Sequence, residues 1–174
     1  KSHMAIRERH LALCRELIYA SDRLTTVVES INVLCTELSV YCEGVALLGE
    51  CTPRSIAYSS AMGELLSSTI FAAYAQSEGI PAVFADARKF MRTDDTFLGG
   101  VVDRSALRIL AEEYVVKPLL DGGIIITQGF IGSDSIGRKT NYSRSLHTSS
   151  LVYKRRLRNQ RELYKMESCR KNIK

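Results

Sequence analysis

Apolar positions recur at Leu11, Cys14, Leu17 and Ile18, the spacing of an amphipathic helix over about residues 6–19. A longer stripe follows through Leu24, Val27, Val28, Ile31, Leu34, Cys35 and Leu38 towards Val45 and Leu48. It predicts a second helix, with Asp22 as its N-cap and Gly49 at its end. Thr52 and Pro53 open a short third helix, as cap and first-turn residue. Gly63-Glu64 interrupts the pattern, and an apolar helix resumes over 65–76, closed by Gly79.

Beyond Pro81 the period changes. Ala82-Val83-Phe84-Ala85 is short and apolar and reads as a buried strand. Residues 86–97 are polar with little periodicity. Asp103 caps a helix over about 104–120, carrying Leu107, Leu110 and Ala111 on one face, and Asp121-Gly122-Gly123 makes a turn. Residues 123–127 (Gly-Ile-Ile-Ile-Thr) are β-branched on both faces, as in a central parallel strand. The order helix, strand, helix, strand, with glycine punctuation and a helix-rich first half, is an α/β alternation. Ligands in such folds sit beyond the carboxyl ends of the strands. Those ends are Asp86-Ala87-Arg88 and Thr127-Gln128-Gly129-Phe130, with Gly63-Glu64 feeding the same region.

Composition adds limits. The 174 residues are 45% hydrophobic and 25% charged, a balance that fits one folded domain and excludes a wholly disordered chain. No uninterrupted apolar run has the length of a membrane span, and no leader pattern is visible, so a cytoplasmic protein is expected. The five Cys form no CxxC pair and read as buried, reduced thiols; no metal site is expected. The three His have no triad partner at motif spacing.

The net charge of +5 hides a division. Residues 1–137 hold 12 Lys and Arg against 17 Asp and Glu, a net of −5; residues 138–174 hold 12 against two, a net of +10. Two kinds of sequence therefore meet near residue 140, giving an expected folded unit over 1–140 and a basic, poorly ordered tail over 141–174. Lys154-Arg155-Arg156-Leu157-Arg158 suits an anionic partner such as nucleic acid, but a solvated end is the better reading.

The loops are candidates for chemistry. Glycines flanking Phe130 let a ligand approach main-chain N–H groups. Glu64 at a helix start is either a cap or a ligand for an ammonium group. Asp86, Arg88, Lys89 and Arg92 are an ion-pair network or a charged site; Arg138 and Lys139 face a phosphate or solvent.

Three blocks together resemble one family: Gly63-Glu64-Leu65-Leu66-Ser67-Ser68; Asp86-Ala87-Arg88 with Thr93; and Ile126-Thr127-Gln128-Gly129-Phe130-Ile131-Gly132 with Gly137 and Thr140. These resemble the aspartate kinases of the amino acid kinase fold. The resemblance implies a partial three-layer α/β/α fold on a mainly parallel sheet. It also implies a central fragment of a kinase domain that phosphorylates the β-carboxylate of L-aspartate with Mg-ATP. By the same resemblance Glu64 holds the substrate ammonium, and Gly129, Phe130 and Gly132 form the substrate loop. Gly63, Asp86, Arg88, Thr127 and Gln128 are structural members of the motifs. Family residues absent here include the Lys-Phe-Gly-Gly-Thr-Ser strand and the Arg and Asp of Leu-Gly-Arg-Gly-Gly-Ser-Asp. The expectation is therefore weak aspartate binding, no ATP bound by this chain and no turnover, with self-association or pairing with a full-length kinase possible. The alternative is a degenerate lobe whose tail binds nucleic acid or another anionic partner.

Asn141-Tyr142-Ser143-Arg144 can be encoded AAC TAC TCT AGG. The same bases read one position later give ACT ACT CTA GG, the Thr-Thr-Leu-Gly of the family. The tail then reads as out-of-frame translation.

Overall fold

The computed structural model describes residues 2–142. The tail from residue 143 onward, including the Lys154–Arg158 run, lies outside the described residues.

Helix α1 (Ser2–Leu17) lies along α2 (Ser21–Leu48) and touches α3 (Pro53–Ser77). Leu11, Cys14 and Ile18 interlock with Val27, Ile31 and Cys35 and with Leu66 and Ile70, which is the stripe read from the sequence. Two expectations about helix starts fail. Residue Asp22 does not cap α2; the helix begins at Ser21 behind Ala20, and no side chain caps it. Nor does a new helix begin at Gly63-Glu64, because α3 runs unbroken through both residues. Glycine lowers helix propensity by about 1 kcal/mol, and 25 residues of tertiary packing override that. The Thr52 cap is as expected: its hydroxyl accepts from the Ser55 N–H, with Pro53 in the first turn. By length and composition α2 could cross a bilayer, contrary to expectation; in this fold its buried residues pack against α1 and α3.

Strand β1 (Ala82–Ala85) pairs in parallel with β3 (Ile124–Thr127), from Ala82 opposite Ile124 to Ala85 opposite Thr127. Both strands were legible. Their side chains alternate: Ile126 joins Ala72 and Ala75 of α3, whereas Ile125 joins the cluster that takes in Leu107, Leu110 and Leu119. Those leucines belong to α5 (Arg104–Ala111) and α6 (Lys117–Leu120), joined by a π-helical turn at Glu112–Val116, so the expected helix over 104–120 is helical throughout. Asp103 caps it, its carboxylate accepting from Ser105 and Ala106. Among the described residues β3 has β1 as its sole partner, so its expected central position is not seen.

The polar stretch after β1 holds more structure than its pattern shows. Asp86 caps a short helix α4 (Ala87–Phe90), and β2 (Leu98–Gly100) follows. A second sheet has the order β2–β5–β4, where β4 is Ile131–Ser133 and β5 is Lys139–Tyr142. Its β4–β5 pair is antiparallel and its β2–β5 pair parallel, so parallel pairing is not universal. Strand β5 buries Asn141 and Tyr142 and thus passes the expected boundary at residue 140. The chain is α/β, with helices packed on both faces of the β1–β3 pair.

Candidate functional site

The three motif blocks converge. Gln128 follows β3 and is only 4% exposed. Its side-chain oxygen accepts from the Ala87 N–H at 2.7 Å, and its amide nitrogen donates to Ser68 Oγ at 2.9 Å. Ser68 Oγ in turn donates to the Glu64 carbonyl oxygen at 2.6 Å. A chain of hydrogen bonds therefore links the Glu64 turn of α3, the start of α4 and the end of β3.

Glu64 sits in mid-helix, so its expected role as a helix-start cap is corrected. Its side chain is half-buried, and its carboxylate makes no hydrogen bond or ion pair among the described residues. Phe130 packs on the cluster that contains Ala61, Met62 and Leu65 of the same helix. Thus Glu64 and the 129–132 loop lie at one end of the fold, next to the carboxyl end of β3. Phe130 holds φ at +41°, the sole non-glycine residue with positive φ among the described residues. Such backbone strain collects at sites where a ligand is clamped. Gly132 is needed for space: a Cβ there would stand 2.5 Å from the Met91 carbonyl oxygen. Gly63 has open space around its Cβ position. Thr127 Oγ1, at the strand end, is buried without a partner among the described residues.

The charged loop residues resolve towards structure. Asp86 accepts from the Arg88 main-chain N–H and forms a bidentate pair with its guanidinium, at 2.5 to 3.0 Å. That pairing raises the Arg88 pKa. Arg92 donates to Ser133 Oγ and the Asp134 carbonyl, which staples α4 to β4. Arg138 pairs with Asp134 and lies over the Phe97 ring.

Lys139, expected to face a phosphate or solvent, is instead buried against a carboxylate and an aromatic ring. Its ammonium is 3.3 Å from Glu37 Oε2 and 3.7 Å from the centre of the Tyr58 ring, and its side chain is 9% exposed. Tyr58 stacks on Tyr41 at 3.8 Å and donates to Glu37. These partners come from positions 37, 41, 58 and 139, and no local spacing signals their meeting.

Cys14 and Cys35 are buried as expected, but Cys42 and Cys51 are exposed on the far end of α2 and the loop after it. Among the described residues no group of three His, Cys, Asp or Glu side chains could hold a metal ion.

The scaffold is of α/β type, and its three motif blocks meet at the carboxyl end of β3. No family model matches the chain. Curated relatives do. The lysine-sensitive aspartokinase 3 of Escherichia coli is 34% identical over 150 residues, which is 85% of this chain and 32% of that enzyme. Aspartokinase 1, chloroplastic, of Arabidopsis thaliana is 31% identical over 129 residues, 73% of this chain and 21% of the relative. The crystal structure of E. coli aspartokinase III with aspartate and ADP (R-state) matches at TM-score 0.70 and 34% identity, over 82% of this chain and 30% of that one. Its complex with lysine and aspartate (T-state) matches equally. Over most of its length this chain is homologous to the aspartokinases, and it spans about a third or less of the length of these relatives.

Proposed function

We propose that this chain is the amino-acid-binding part of an aspartokinase lobe of the three-layer amino acid kinase fold. The whole protein would transfer the ATP γ-phosphoryl to the β-carboxylate of L-aspartate. Glu64 receives the α-ammonium, and the main-chain groups of Gly129, Phe130 and Gly132 face a substrate carboxylate. The observation that carries this reading is the unpaired, half-buried Glu64 carboxylate beside a loop strained at Phe130. A ligand ammonium would give this carboxylate the cation that it lacks among the described residues.

No residue described here is assigned to Mg-ATP. Within the given sequence no segment resembles the Lys-Phe-Gly-Gly-Thr-Ser strand, and we expect this chain alone to bind aspartate weakly and not to turn over.

Calorimetric titration tests the reading, with L-aspartate and with succinate, which lacks the ammonium. Aspartate should bind more tightly than succinate, and Glu64→Gln should remove the difference. Equal affinity of Glu64→Gln and the wild type for aspartate would overturn the assignment.

A further inference from the structure

Gln128 has a hydrogen-bonding pattern with no freedom in it. The Ala87 N–H can only donate, so the group facing it is the side-chain oxygen. The amide nitrogen then faces Ser68, whose hydroxyl must accept from it and spend its own proton on a main-chain carbonyl of the preceding turn, Glu64 at 2.6 Å or Leu65 at 3.3 Å. Every proton along the path is assigned by main-chain groups at its two ends. All three side-chain or main-chain partners are buried: Gln128 at 4% exposure, Ser68 at 1% and Ala87 at 1%. Ala87 opens α4, so its N–H is one of the first-turn donors that a helix cannot satisfy internally. Asp86 covers the Arg88 N–H beside it, and Gln128 covers this one.

The bridge joins elements that otherwise meet, among the described residues, only through apolar packing, which has no directional preference. Ser68 is on α3, one helical turn after Glu64; Ala87 is on α4; Gln128 is two residues before Phe130. Shifting α3 along its axis, or lifting the 129–132 loop, would leave a buried amide or N–H unpaired, and that is what resists both motions.

We infer that Gln128 is a positioning residue: through Ser68 and Ala87 it fixes the spacing between the Glu64 turn and the Phe130 loop, and so sets the width of the amino-acid site. The inference rests on the aspartate-binding reading above. It gives Gln128 no contact with the ligand.

The test uses Ser68→Ala, the near-isosteric Gln128→Met and their double variant in the full chain. Isothermal titration with L-aspartate and amide chemical shifts without ligand are the readouts. Each single variant should weaken aspartate binding about tenfold, the size expected for losing one buried hydrogen bond that holds a site in register. The double variant should be no weaker than either single one, because both cut the same path. Ile31→Val, a core truncation among α1, α2 and α3, should cost stability without changing affinity. Ser68→Ala should also shift the amide signals of Ala87, Gly129 and Phe130, which lie on other elements. Should Gln128→Met fail to fold, Ser68→Ala carries the test, since it removes one hydroxyl from a long helix. Unchanged signals at Ala87 and Phe130, additive losses, or an affinity that falls in Ile31→Val as well would overturn the role. A wild-type chain that binds no aspartate defeats the proposed function, and the chemical-shift readout still decides the role of Gln128.

Discussion

The ammonium of Lys139 rests 3.7 Å from the centre of the Tyr58 ring and 3.3 Å from Glu37 Oε2, which also accepts from the Tyr58 hydroxyl. This contact pins β5 to α3 and α2 at the point where the β4–β5 hairpin meets the helices. It is both a cation–π pair and an ion pair, and its two halves differ in exposure: the Lys139 side chain is 9% exposed and Glu37 is 45% exposed. Burial lowers the Lys139 pKa, and Glu37 only partly restores it. The attraction therefore does not fully offset the desolvation of the ammonium.

Lys139→Met should consequently be tolerated. The thioether keeps the packing on Tyr58 and Met62, the desolvation penalty disappears, and Glu37 stays hydrated. Urea unfolding should show stability unchanged or higher by about 1 kcal/mol. Lys139→Ala loses the same packing and should cost about 1–2 kcal/mol. Equal losses in Lys139→Met and Lys139→Ala would show that charge, not packing, holds this junction.

Tyr58 gives the junction an alkaline limit. Burial, then the nearby Glu37 carboxylate and its hydrogen bond, push the phenol up to about 12 from 10.0. A folded-state pKa above the unfolded one means that the folded chain holds its proton longer. The stability it contributes is complete below pH 10 and is lost as the pH rises towards 12. Denaturant midpoints measured across that window should fall more steeply for the wild type than for Tyr58→Phe. Parallel slopes would mean that Tyr58 ionises as freely in the folded chain as in the unfolded one.

Two motif glycines should respond in opposite directions to alanine. Gly63 is exposed in the middle of α3, and a Cβ there meets nothing within 4 Å. Gly63→Ala should raise stability by about 0.5–1 kcal/mol through helix propensity and a less free unfolded chain. A Cβ on Gly132 would stand 2.5 Å from the Met91 carbonyl oxygen and 3.3 Å from Thr93 Cγ2, between two bonded elements. Gly132→Ala should cost about 1–3 kcal/mol by forcing β4 away from α4. Thermal unfolding of both variants checks the signs.

The same glycines show what was legible. Helices α1 and α2, strands β1 and β3 and the caps at Thr52 and Asp103 follow from apolar period and local hydrogen bonding, and both act over a few residues. Gly63 misled because a glycine in a helical pattern reads as a break, whereas the packing of Met62, Leu65 and Leu66 around it carries the helix through. Strands β2, β4 and β5 are three or four residues long and hold Gly, Lys and Asn, so no alternation marks them. Their pairing is set by contacts such as the bond between the Thr93 and Thr140 hydroxyls, 47 positions apart. That the motif blocks meet was readable because glycine and charge collect at the strand ends of an α/β order. The partnership of Gln128 with Ser68, 60 positions away, was not.

Asp134 should dominate the acid side of the stability profile. Its residue is 2% exposed, and burial pushes its carboxyl up. Several effects together outweigh this. Arg138 Nε donates at 2.5 Å, and the main-chain N–H groups of Arg138 and Ile136 donate at 2.8 and 3.1 Å. The net result is a pKa below the ordinary 3.8. A folded-state pKa below the unfolded one means that the unfolded chain takes up the proton first. The stabilisation is then complete well above pH 3.8 and is lost as the pH falls through that value towards the lower folded-state pKa. Asp134→Asn keeps an acceptor for the turn but has no charge to protonate, so it should be less stable at neutral pH by about 1–3 kcal/mol. That gap should close as the pH falls below 3.8, because the wild type loses what the variant never had. Urea midpoints for the two chains at several pH values between neutrality and pH 3 measure it. A gap that stays constant with pH would mean that the turn relies on the shape of the side chain and not on its charge.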